Sequence, residues 1–153
     1  MLPMTATAAR VGTATPVVAA RMRRLRAVRG PAGVAAGALA AVVVVAVVDP
    51  NEPGHYPTCP FLAVTGLFCP GCGSLRAVHA LARGDVALAV SLNVLTVLAV
   101  LPLVLGWAAW LRRSLRGAQR TSVLPAPAIW ALLVVVCGFA VLRNLPIGAA
   151  LAP

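Results

Sequence analysis

The sequence predicts an all-α integral membrane protein, with three transmembrane helices and a short interfacial helix in a cysteine-rich outer loop. Three observations predict it. Hydrophobic residues make up 61% of the 153 and charged residues only 10%, a balance foreign to soluble domains. That excess is gathered into three charge-free runs, each close to the roughly 20 helical residues that cross a hydrocarbon core of about 30 Å. The charges stand beside the runs: all thirteen basic residues are arginine, and ten of them precede the first run or separate the second from the third.

Residues 1–30 are expected to be a disordered basic cytoplasmic tail. "MLPMTATAARVGTATPVVAA" has small residues, Thr and Pro without helical periodicity, and "RMRRLRAVRG" suits a juxtamembrane anchor drawn to anionic headgroups. Residues 31–48, "PAGVAAGALAAVVVVAVV", form the first transmembrane helix. This run is longer than the apolar region of a signal peptide and no small-x-small site follows it, so it reads as an uncleaved anchor. Residues 49–85 form the outer loop and residues 86–110 the second transmembrane helix. That helix carries Asn93 about 12 Å below Asp85, where an interhelical hydrogen bond is expected, and Pro102, where a kink is expected. Residues 111–124 make a basic cytoplasmic loop, 125–143 the third transmembrane helix and 144–153 an outer tail.

Orientation follows from the arginines. Asp49, Glu52 and Asp85, the only acidic residues, fall between the first two runs, and the positive-inside bias puts the N-terminus in the cytoplasm and the cysteine loop and C-terminus outside. Trp107, Trp110 and Trp130 then sit toward the cytoplasmic interface. A net charge of +10 in a soluble chain would suggest nucleic acid. Arginines confined to the flanks of apolar runs point to the lipid bilayer instead.

The outer loop opens with "DPNEPGHYP", too rich in Pro and Gly for regular structure. It closes with "SLRAVHALARG", an interfacial helix over about residues 74–83. Leu75, Val78, Leu81 and Ala82 form its apolar stripe, and Arg76, His79 and Arg83 a cationic one. Ser74 or Gly73 is the expected N-cap, Gly84 the stop, and Asp85 the N-cap of the following membrane helix.

Three of the four cysteines, Cys59, Cys69 and Cys72, lie in the same loop, the last two in "CPGCG". Three chemistries are open to them. A structural disulfide suits an oxidising compartment. A zinc site would combine Cys59, Cys69 and Cys72 with His55, which lies in the irregular segment; His79 is carried about 10 Å along a helix axis from Cys72. Thiol-disulfide exchange would use the low thiol pKa favoured at a helix N-terminus, although no βαβ pattern accompanies the motif. Gly73 in place of a His argues against covalent haem. No residue is assigned a catalytic role, and Cys137 reads as a small apolar filler. Arg76 and Arg143 are expected to snorkel to headgroups or pair with Asp85 or Glu52.

The succession Cys59-Pro60, Thr65-Gly66, Cys69-Pro70-Gly71-Cys72-Gly73, Arg76-Ala77, Leu81, Gly84-Asp85, Ala89 and Asn93, with Arg143-Asn144-Leu145-Pro146, resembles the domain of unknown function 2752 family of small bacterial multi-pass membrane proteins. The resemblance covers about residues 57–111. Two positions depart from the family pattern: Leu75 where a Thr often stands, and Val94 where a Pro often follows the Asn. The resemblance implies a bacterial inner-membrane protein in which Arg76, Asn93, Arg143 and Asn144 are motif positions, and it implies no activity. The expected function is a non-catalytic scaffold or accessory subunit whose cysteine-fixed outer loop docks a membrane-protein partner or a second copy. The alternative is an extracytoplasmic zinc-binding or thiol-disulfide exchange protein.

Overall fold

The computed structural model describes residues 16–117 and 125–152. The described residues are helical, without strands: α1 (Pro16–Val47), α2 (Pro60–Thr65), α3 (Ser74–Ala82), α4 (Val86–Leu115), α5 (Ala126–Leu142) and a closing 3-10 helix (Pro146–Leu151). Two stretches, Arg21–Val47 and Val86–Leu115, are long and apolar enough to cross a membrane, and the apolar α5 is shorter, at 17 residues. Residues 1–15 of the expected tail and residues 118–124 of the expected basic loop lie outside the described residues.

The first helix begins earlier than expected. α1 runs from Pro16 through the arginine-rich stretch and past Pro31, so residues 16–30 are helical where a disordered tail was expected. Ala, Met, Leu and Arg are all strong helix formers, and no Gly or Pro interrupts them between Pro16 and Gly30. α1 crosses α4 where Gly30 approaches the Trp110 ring: a Cβ on Gly30 would meet that ring at 3.1 Å. Alongside, Trp107 donates its indole N–H to the Pro31 carbonyl at 3.0 Å.

α3 and α4 form an antiparallel hairpin. Gly84, at φ 81°, takes the left-handed conformation that stops α3, and Asp85 caps α4 by accepting the Leu88 N–H at 2.9 Å. Ala77 and Ala80 of α3 and Ala89 of α4 are buried between the helices, the small side chains allowing close backbone approach. The buried stripe of α3 is therefore its alanine face; Leu75, expected on the apolar stripe, is exposed. α3 packs along α4, with the Ser74 hydroxyl 2.7 Å from that of Thr96. His79 is buried on α3 and its Nδ1 donates to the Val45 carbonyl at 2.7 Å, satisfying one of the orphan carbonyls at the end of α1.

α4 is broken at Asn93, where φ −164° and ψ 94° leave the helical region. The backbone departs from helix here and not at Pro102, the expected site of a kink. Asn93 is an N-cap in mid-element: its Oδ1 accepts the Thr96 N–H at 3.0 Å and restarts the helix. Val94 thus occupies the first position of the second half-helix, where a Pro is well tolerated.

Candidate metal centre

The cysteines meet because two short return devices fold the loop. Cys59 precedes Pro60 at the start of α2, and Gly66, at φ 70°, ends α2 by donating its N–H to the Leu62 carbonyl at 2.9 Å. Thr65 secures the reversal, donating to the Phe61 carbonyl at 2.6 Å and accepting the Leu67 N–H at 3.2 Å. The chain returns through Phe68 to Cys69. Pro70 and Gly71 then close a tight turn in which the Cys72 N–H donates to the Cys69 carbonyl at 3.1 Å. Gly73, at φ 82°, starts α3, a backbone state that a side chain would strain.

The result brings Cys59, Cys69 and Cys72 together. Their Sγ atoms lie within 4.8 Å of one another, at 3.5 Å for Cys59–Cys69 and 3.2 Å for Cys69–Cys72. All four cysteines are free thiols, and Cys137 is exposed on α5, away from this group. His55 is not brought to it. Its Nδ1 lies 3.3 Å from the Glu52 carboxylate and 3.3 Å from the Asp49 carbonyl, because the irregular segment turns that ring toward the acidic residues beside it. His79 is held on Val45. The sulfur cluster has no fourth protein donor among the described residues.

Three polar side chains grip the backbone of this turn. The Asn144 amide pairs with both polar groups of Phe68, accepting its N–H at 2.8 Å and donating to its carbonyl at 2.8 Å. Asn93 donates to the Pro70 and Cys72 carbonyls, each at 3.0 Å. Arg143, at the end of α5, donates from one terminal nitrogen to the Cys69 and Cys72 carbonyls at 2.9 and 3.1 Å. Its other terminal nitrogen reaches the Leu151 carbonyl at 3.0 Å. The closing 3-10 helix can fold over Arg143 because Gly148 sits directly on the Leu142 carbonyl, where any Cβ would collide.

Arg143 is 1% exposed. Its guanidinium lies 4.9 Å from the centroid of the Phe139 ring and 5.8 Å from that of Phe68, within cation–π range. Its Nε has no hydrogen-bond partner. No carboxylate pairs with it among the described residues: Glu52 and Asp49 face histidines and Asp85 caps α4. The expected pairing of Arg143 or Arg76 with Asp85 or Glu52 is therefore not formed. A buried cation without a counter-charge is costly, and the groups placed to supply negative charge are the cysteine sulfurs.

The three thiols are not equivalent. The Leu62 backbone N–H, then the Cys69 thiol, hold Cys59 below the ordinary thiol range. Burial, then the neighbouring Cys69 and Cys59 thiols, push Cys72 up to about 11. The arrangement suits an ion that binds all three sulfurs at once and displaces their protons. Sulfurs about 2.3 Å from a tetrahedral zinc stand roughly 3.8 Å apart, close to the separations found here.

Sequence reasoning named the cysteines, Asn93, Arg143 and Asn144, and the structure brings all six to one turn. Arg76 stands on the wall of a neighbouring groove. Missed were Phe68 and Phe139, flanking the guanidinium, and Thr96, paired with Ser74. Phe139 had a signal, lying one helical turn before Arg143; the Leu151 carbonyl had none.

Fold and site together define a class: a chain whose described residues are all-helical, with two membrane-length apolar helices and a shorter third, carrying a three-thiol cluster at one end. Residues 59–108 match the model of a family described as a protein of unknown function (DUF2752), the family that the cysteine, glycine and asparagine positions resemble. No curated protein and no solved structure matches.

Proposed function

We propose that this chain is a non-catalytic bacterial inner-membrane protein whose outer loop is fixed by a zinc ion held on Cys59, Cys69 and Cys72. The observation that carries this reading is the convergence of three sulfurs within 4.8 Å of one another beside a buried arginine with no carboxylate partner. Three thiolates and a divalent ion carry one net negative charge, which Arg143 offsets. A disulfide would be neutral, would leave one sulfur over, and would leave that arginine uncompensated. Dithiol exchange is disfavoured because the described residues are helical throughout and lack the strands on which such dithiols ordinarily sit. When bound, the ion supplies a cross-link between α2 and the turn before α3. The chain's own residues do the rest: Asn144, Asn93 and Arg143 hold the turn so that its sulfurs point together.

The same reading has α5 cross the bilayer as a third span, with the N-terminus in the cytoplasm and the cysteine loop and C-terminus outside. Its support is the arginine distribution and the bare surface of α5, which has no buried residue and so is free to meet lipid or a helix of a second copy. Purified full-length protein, kept free of chelator, tests the metal reading. About one zinc per chain is expected, with Cys137 alkylated at once and the other three cysteines only after chelation. Metal-free protein carrying a Cys69–Cys72 cross-link would overturn it.

A further inference from the structure

A groove of about 500 Å³ opens beside the cluster, between the segment from Pro50 to Cys59 and the turn from Gly71 to Arg76. Two of the cluster cysteines, Cys59 and Cys72, line it, and so does Arg76. Resting on the metal reading above, we propose that the fourth coordination position of the cysteine trio opens into this groove and takes a small thiol bearing a carboxylate. Its sulfur binds the metal and its carboxylate meets Arg76.

Four observations carry this. The described residues supply three donors and no fourth, since His55 faces Glu52 and His79 is spent on Val45; zinc with three protein ligands keeps an open position. The groove has the volume of a small-molecule site. A three-sulfur donor set favours a further soft donor over an oxygen. Finally, charge selects an anion: Arg143 offsets the single negative charge of the loaded trio, and an incoming thiolate adds another. Arg76 is half-buried on the groove wall without a carboxylate partner among the described residues, and it is the cation placed to receive what the ligand brings. The exchange moves no electrons. A coordinated water leaves, the thiol's proton passes to solvent, and a sulfur–metal bond replaces an oxygen–metal bond.

Cobalt-loaded full-length protein in detergent tests this, with mercaptoacetate and mercaptoethanol as probes. Mercaptoacetate is expected to increase the sulfur-to-cobalt charge-transfer absorption saturably, with an affinity about fivefold above that of mercaptoethanol, the scale of one part-exposed ion pair. Arg76→Gln should abolish the preference while cobalt affinity and the mercaptoethanol response persist, and Arg76→Lys should restore part of it. A cobalt spectrum unmoved by either thiol would overturn the proposal, because a protein group then fills the fourth position. Equal affinities for the two thiols would remove Arg76 from the site and overturn it as well. Failure to bind cobalt at all would instead bring down the underlying metal reading, a separable result.

Discussion

The two ends of this molecule are held together by different physics. At the cysteine end, side chains from α4 and α5 reach carbonyls of one turn, and donor after donor has a named acceptor. Along the shafts of α1, α4 and α5 almost nothing is buried: α5 buries no residue, and the two that α4 buries, Ala89 and Asn93, lie at its cysteine end. Away from that end the shafts meet at the Gly30–Trp110 approach and the Trp107–Pro31 hydrogen bond. Apolar composition alone suffices for a surface that meets lipid, whereas a polar turn beside it must have each backbone group satisfied. The difference teaches where substitutions matter.

The largest break should come from the cluster. Cys69→Ala removes the central sulfur and is expected to weaken zinc binding by on the order of a hundredfold or more, exceeding the usual cost of losing a supporting outer-shell group; competition with a chromophoric chelator reads this directly. Next is Arg143→Gln, which strips donors from Cys69, Cys72 and Leu151 and leaves a hole between two phenylalanine rings. It should cost on the order of 3 kcal/mol of stability, seen as a lower unfolding midpoint in detergent, and should also weaken the metal site. Asn93→Ala loses a mid-element cap and two carbonyl contacts, for about 2 kcal/mol. Asn93→Asp sharpens the comparison further: it keeps an acceptor for the Thr96 N–H but faces the Pro70 and Cys72 carbonyls with a carboxylate, and should be no better than alanine. At the other extreme, Leu103→Ala on the exposed shaft of α4 should change stability by no more than about 0.5 kcal/mol.

This contrast also governs what could be read in advance. The apolar runs, the Asp85 cap, the Gly84 stop and a start of α3 at Gly73 or Ser74 were legible because each depends on residues adjacent in sequence. The extension of α1 was not, because Pro16, Gly30 and Pro31 resemble boundaries while the arginines between them favour helix. The break at Asn93 was obscured by Pro102, the better-known helix breaker; an Asn becomes a cap only when its side chain finds the amide of Thr96 and its backbone is freed by contacts from a distant turn. The convergence of Arg143 and Asn144 on a motif 71 to 76 residues earlier is tertiary information. Each residue could be singled out, but not the carbonyls it would hold. His55 was a reasonable ligand by reach alone, and Glu52 and Asp49 hold it elsewhere.

In the proposed site Cys59, Cys69 and Cys72 act together on one ion, with the turn gripped from α4 and the end of α5. X-ray absorption at the zinc edge of the full-length protein, purified without chelator, tests it most directly. A shell of about three sulfurs near 2.3 Å with one further light or sulfur donor is expected. A zinc-free sample, or a shell of nitrogen and oxygen alone, would contradict it.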